Sequence, residues 1–287
     1  MIKWPSELIE DVARRKAVLF LGAGVSANSV ADNGKRPPNW EQFLLACLDK
    51  CEDGKEVIQE LLKSKDYLTA CELLKVRLAD QWNEILANEF SRPRYRAADI
   101  HKSLFQLDCR LVLTQNFDKI FDVYALNETQ GDTVVKNYYD DDTPLVMRRN
   151  YRAVVKVHGS IDEPSKTVFT RGDYALVRHR YRGFQNLVDA LFLTHTFVFL
   201  GCGLNDPDLR LFLEEHAHNQ PSAPVHYMTS PEGEISTDLD VSIKSNMNIR
   251  LLRYSGSDGH HELTASVKEL VDLVEDKRED IAERQDW

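Results

Sequence analysis

Short, unbroken apolar runs recur along the chain, each followed by small or polar residues. They are Ala17-Val18-Leu19-Phe20-Leu21, Leu111-Val112-Leu113, Ala153-Val154-Val155 and Thr196-Phe197-Val198-Phe199-Leu200. Runs of this length without polar alternation fit strands buried on both faces, as in a parallel sheet. Elsewhere the apolar period is helical. Residues 6–16 put Leu8, Ile9 and Val12 on one side and predict a short amphipathic helix covering the sheet. Residues 40–106 repeat that period, as in Phe43, Leu44, Cys47 and Leu48, then Leu68, Cys71, Leu74 and Leu78, which predicts a helical insertion between the first two strands. Further on, the pattern predicts a helix over about 207–218, strands at 225–228 and 248–254, and an exposed acidic loop over 230–240. A helix over 262–274 leads into a highly charged tail, 275–287, that either frays or meets a partner. The sum is an α/β fold: one Rossmann-like domain over 1–287, with a mostly parallel sheet flanked by helices and a helical insertion.

The residues after the strands carry the candidate chemistry. The first run enters Gly22-Ala23-Gly24-Val25-Ser26-Ala27, the G-x-G-x-x-A form of a turn whose backbone approaches a pyrophosphate at a helix N-terminus. Ser26 and Asn28 then either touch phosphate or ribose or simply start a helix. The second run ends in Thr114-Gln115-Asn116-Phe117-Asp118, the third leads to His158-Gly159-Ser160, and the fourth to Gly201-Cys202-Gly203-Leu204-Asn205-Asp206. Open α/β sheets bind ligands beyond the carboxyl ends of their strands, so the four strand ends can converge on one ligand. The competing reading makes each an ordinary turn, with Asn116 starting a helix, Asp118 capping it and His158 satisfied in place. Asp206 and Asp208 are expected to cap the following helix. The long insertion displaces the second strand and ribose-binding acid of a dehydrogenase, which argues against hydride transfer.

In order, these four segments read G-A-G-x-S, T-Q-N-x-D, H-G and a second glycine turn, and the set resembles the sirtuin family of NAD-dependent proteins. Two departures matter. The five cysteines, Cys47, Cys51, Cys71, Cys109 and Cys202, form no C-x-x-C pair, so the zinc module of the deacetylating members is absent and no metal is expected. Residues 33–40 also replace the family's G-I-P-D-F-R segment. With its H-G-S, its Asp173-Tyr174 pair and a G-x-x-L-x-D-x-D-L turn approximated by residues 201–209, the chain is more similar to the zinc-free, sirtuin-like branch of bacterial antiviral defence. That resemblance implies NAD⁺ as substrate, contacted by Gly22, Ala23, Gly24, Ser26, Asn28, Thr114, Gln115, Gly201, Gly203 and Leu204, with the Ser255 loop over the adenine. It implies that Asn116 orients the ribose and a water, that His158 is the general base, and that Asp118 supports them. The expected activity is NAD⁺ glycohydrolysis to nicotinamide and ADP-ribose, which depletes NAD⁺ during infection. The alternatives are an NAD-dependent protein deacylase or ADP-ribosyltransferase, and a non-catalytic sensor of NAD or ADP-ribose.

Composition narrows the partners. With 36 basic and 46 acidic residues the formal charge is −10, which argues against a broad nucleic-acid-binding face. The basic stretches 148–152 and 178–182 read as solvated or oligomer-facing loops, and the histidines at 216, 218, 260 and 261 as surface polar residues. No membrane-length apolar run or signal-like apolar core occurs, and the cysteine spacing suggests no disulfide framework, so a cytoplasmic protein is expected. Resemblance implies a homo-oligomer and a separately encoded partner, either a ring-forming DNA-translocating ATPase or an Argonaute-like sensor. The insertion or the charged tail is the candidate assembly element, and with no P-loop in the chain any ATPase activity falls to the partner.

Overall fold

Among the described residues seven strands, all parallel, make one sheet in the order β3-β4-β2-β1-β5-β6-β7. They are β1 (Ala17–Leu21), β2 (Leu111–Thr114), β3 (Val134–Asn137), β4 (Ala153–Lys156), β5 (Thr196–Leu200), β6 (His226–Pro231) and β7 (Ile249–Tyr254). This computed structural model describes residues 1–148, 151–204 and 206–286; Arg149, Asn150, Asn205 and Trp287, and the side chain of Asp208 expected as a cap, lie outside what is described. The first strand is central. Leu19 of β1 is in register with Val112 of β2 on one side and Val198 of β5 on the other. Because the chain adds strands first to one side of β1 and then to the other, the strand order reverses between β1 and β5, the switch point at which such sheets open a crevice.

Side chains alternate along each strand and fill two cores. Leu19, Leu21, Val112, Val154, Val198 and Leu200 pack beneath the helices Ser6–Ala13, Asp99–Gln106, Ile120–Glu128 and His261–Arg284. Val18, Phe20, Leu113, Val155, Phe197 and Phe199 face the opposite layer, formed by the helices Arg171–Arg180, Arg182–Thr194, Pro207–Asn219 and Thr237–Met247. A third core lies within the insertion, where the helices Trp40–Asp49, Lys55–Lys63, Tyr67–Leu78 and Asp80–Leu86 bury Phe43, Leu74 and Trp82 together with Phe169 from beyond β4. Asp99–Gln106, the last helix of the 40–106 stretch, instead places Ile100 and Leu104 in the first sheet core.

Three readings of the sequence need correction. The sheet gains β3, whose four half-buried residues at the sheet edge are too few to show a pattern. Residues 230–240 are not an acidic loop: β6 runs to Pro231, and a helix starts at Thr237 with Ser236 as its cap. Asp238 and Asp240 sit in its first turn, where the helix dipole favours negative charge, and Ile243 and Met247 are buried. The charged C-terminal stretch does not fray. It continues the helix His261–Arg284, buries Ile281, and sends the Arg278 guanidinium to the Leu107 carbonyl at 2.8 Å, while Arg14 pairs with Asp286 at 2.7 Å.

Candidate functional site

The two glycine turns interlock across the switch point. Gly22 N–H donates to the Leu200 carbonyl and Gly24 N–H to the Gly201 carbonyl. A β-carbon on Gly24 would stand 2.8 Å from Gly201 Cα. Gly201 has a φ of +63°, and a β-carbon there would stand 2.5 Å from Val25 N. These glycines are thus needed for one turn to seat on the other, whatever else binds there. Ala23 and Gly24 remain exposed at the mouth of the crevice, while Val25 and Ser26 are buried beneath it.

At the end of β2 the polar motif is fixed from below. Thr114, buried, donates its hydroxyl to the Leu21 carbonyl and accepts from Asn116 N–H at 3.1 Å. The Asn116 amide donates at 2.9 Å both to the Gly22 carbonyl and to Ser26 Oγ. A backbone carbonyl only accepts, so the amide nitrogen faces Gly22 and Asn116 Oδ1 is turned the other way. Ser26 Oγ in turn donates to Asp118 Oδ2 at 2.7 Å, and Asp118 Oδ1 accepts from Ile120 N–H. Asp118 is buried and acts as the local cap, holding Ser26 and through it Asn116. Asn28 donates to the carbonyls of Gly24 and Val25 and closes the turn's short helix.

His158 follows β4. Gly159, at φ +81°, lets the chain turn back so that Val168 N–H donates to the His158 carbonyl. The imidazole lies edge-on to Tyr174, with ring centroids 5.4 Å apart, and its Nε2 stands 3.5 Å from Asp206 Oδ2. Tyr174 Oη donates to that same oxygen at 2.8 Å and Gln115 Nε2 at 2.9 Å, while Asp206 Oδ1 accepts from Leu209 N–H as the helix cap. Burial lowers the His158 pKa, against the opposing pull of Asp206, so the imidazole is neutral at pH 7. Beside this group lies a largely apolar cavity walled by Phe20, Tyr174, Val177, Phe184, Phe192 and Leu209.

The structure therefore brings together Ser26, Thr114, Gln115, Asn116, Asp118 and His158 around the switch-point turns. Gly203 and Leu204 continue the second turn, with Gly203 exposed and Leu204 against the sheet core. Ser255 follows β7 at the edge of the sheet and bonds within its own loop, to Ser257 at 2.6 Å. Asp206 and Tyr174 join the group as residues whose part in it the sequence did not disclose. Tyr174 is aimed by a capping box in which Thr170 and Asp173 exchange hydrogen bonds, with Lys75 of the insertion on Asp173 at 3.2 Å. Among the described residues, no three His, Cys, Asp or Glu side chains are grouped as a metal ion would need, and no helix is long and apolar enough to cross a membrane.

Comparison with known proteins agrees with the motif order. Residues 110–252 match the model of the SIR2-like domain. The chain is 28% identical over 221 residues to the NAD(+) hydrolase ThsA of Enterococcus faecium, covering 75% of this chain and 42% of that protein. It is 22% identical over 276 residues to the protein of the same name from Acinetobacter baumannii, covering 92% of this chain and 55% of that one. Defense-associated sirtuin 2 of Bacillus subtilis is 24% identical over 210 residues, which span 72% of this chain and 20% of that protein. The chain thus spans only a fifth to about half the length of these relatives. From β2 to β7 the match covers the strand ends that carry Asn116, His158 and Asp206, and this stretch of the chain is similar to the SIR2-like domain.

Proposed function

We propose that this chain hydrolyses NAD⁺ to nicotinamide and ADP-ribose, as a cytoplasmic effector that depletes NAD⁺ in bacterial antiviral defence. One observation carries the reading: Asn116 is anchored by both of its amide hydrogens to the first glycine turn, on the strand next to the one that delivers His158, a half-buried histidine whose pKa is lowered by desolvation. An amide locked in this way presents a fixed acceptor, Oδ1, to a ribose hydroxyl or a water, and loses no orientation when the ligand arrives. The names of the ThsA relatives, NAD(+) hydrolases, support the same substrate.

In the reaction, the bond between C1′ of the ribose and the nicotinamide nitrogen breaks and its electron pair leaves with neutral nicotinamide. Water oxygen bonds to C1′, and the proton it releases passes to His158. Asn116 holds the sugar and the water, and Asp118 keeps Asn116 in register through Ser26. In this reading the dinucleotide lies over the interlocked turns, across β1 and β5. Asn116→Ala and His158→Ala should each lower nicotinamide release from NAD⁺ by roughly 10²- to 10⁴-fold. Chromatography of nicotinamide and ADP-ribose from the purified chain checks this, and full activity in either variant would overturn the assignment.

Self-assembly and a separately encoded activating partner belong to the same proposal, since an unrestrained NAD⁺ hydrolase would poison its own cell. The insertion is the proposed assembly element, and Val76, 80% exposed on its helix Tyr67–Leu78, is a position at which to test it. Mass photometry of Val76→Lys against the unmodified chain tests it.

A further inference from the structure

Asp206 meets the start of its helix and the histidine with different oxygens. Oδ1 caps the helix at Leu209 N–H, 2.8 Å away, which fully accounts for an aspartate at this position. Oδ2 is not needed for the cap, yet it gathers Tyr174 Oη at 2.8 Å and Gln115 Nε2 at 2.9 Å and stands 3.5 Å from His158 Nε2. The two side chains of the pair are 11% and 14% exposed, so their charges are weakly screened by water. We propose that Asp206 is the positioning residue of His158: its carboxylate holds the imidazole proton on Nε2 and so leaves Nδ1 as the nitrogen that accepts the proton from water.

The chemistry is that of an imidazole whose tautomer is set by what its other nitrogen faces. A carboxylate oxygen offers only an acceptor, so the nitrogen turned toward it carries the hydrogen. Nδ1 is then the unprotonated, basic nitrogen. When it takes a proton, the imidazolium faces a carboxylate already fixed by Tyr174, Gln115 and the helix cap, so no group has to reorganise as the charge appears. Two further charged side chains, Arg178 and Glu215, line the adjoining cavity. The inference rests on the NAD⁺-hydrolase reading only for what the base does, and not for which nitrogen is basic.

The test has one arm that needs neither turnover nor a variant. Nitrogen-15 spectra of the imidazoles in the full-length protein, with His158 assigned by its loss in His158→Gln, should show protonated Nε2 and bare Nδ1 at neutral pH. A proton on Nδ1 would overturn the proposal. In the second arm Asp206→Asn keeps the oxygen that caps the helix and removes the charge; because its amide nitrogen replaces the oxygen that accepts from Tyr174 and Gln115, the arm is read on protein shown to be folded by a cooperative melt. Titration of His158 should then move to lower pH by about one unit, and the acid limb of kcat/KM should move with it. An Asp206→Asn protein whose His158 titrates and partitions its tautomers as in the unmodified chain would refute the role. If the unmodified chain releases no nicotinamide either alone or with its activating partner, the proposed activity fails, and the spectra still decide the position of the proton.

Discussion

Asn116 donates both amide hydrogens to the protein and has only its oxygen left for a ligand, so its contribution is direction rather than charge. The sequence shows Asn116 only as a polar residue near a strand end, and the resemblance assigns it a ligand-orienting role with donor and acceptor both in use; that its hydrogens go instead to Gly22 and Ser26 depends on a turn 94 and 90 residues away along the chain. Asp206 was less legible still: its local setting before a helix explains it completely as a cap, and its other partners lie 91 and 32 residues away along the chain. The buried histidines elsewhere set the acid limit of the fold. His101 and His226 are both fully enclosed, and burial pulls the pKa of each down to about 4 from 6.5. Between those values the unfolded chain binds the proton and the folded chain does not, so stability is whole above about pH 6.5 and is lost as pH falls. Each contributes a slope of about 1.4 kcal/mol per pH unit in that window. Urea unfolding at pH 7.5 and pH 5 should show the fall, and His226→Gln should roughly halve it; equal stability at both pH values would refute the account.

At the scale of elements, β4 and the helix Ile120–Glu128 are joined by a charge pair with almost no exposure. Lys156, the last residue of β4, lies 3.1 Å from Asp122 and also donates to the Asp118 carbonyl, tying the strand that leads to His158 to the loop that carries Asn116. Burial pushes the Asp122 carboxyl up, and Lys156 opposes it. Lys156→Met leaves that carboxylate unpaired and should cost about 3–5 kcal/mol in chemical denaturation, while the double variant Lys156→Met/Asp122→Leu should recover most of it. A single variant as stable as the unmodified chain would mean that the pair is inert. The same scale shows why some elements were legible and others not. β1, β2, β4 and β5 are buried on both faces and announce themselves as apolar runs. The helix Thr237–Met247 buries only Ile243 and Met247 beneath an acidic first turn, so its polar surface hides its period. The C-terminal helix is legible to Val274, but the docking of Arg278 and Ile281 depends on surfaces built far away in the chain.

For the whole molecule, the insertion is not an appendage. Phe117, the residue between Asn116 and Asp118, lies 4.5 Å from Phe169 and 5.6 Å from Phe90, and Phe169 meets Trp40, Phe43 and Trp82 of the insertion. The insertion core therefore abuts the loop that orients Asn116, and Lys75 holds the helix that carries Tyr174. The stretch matching the SIR2-like model, 110–252, omits both this core and β1. A fragment cut to those bounds would lose the middle of its sheet and leave β2 and β5 with facing unpaired edges. It should show no cooperative thermal transition and should aggregate; a sharp, reversible melt would refute that. The central position of β1 also bears on how the protein is made. Its five apolar residues are made before either of their partners, residues 111–114 and 196–200. At about 5–20 residues per second, synthesis of the second partner follows on the order of ten seconds or more later. Until residues 111–114 are made, a strand built to be buried on both sides has neither neighbour, and until 196–200 follow it has only one, so the nascent chain depends on a chaperone, or on the helix Ser6–Ala13, to keep it covered.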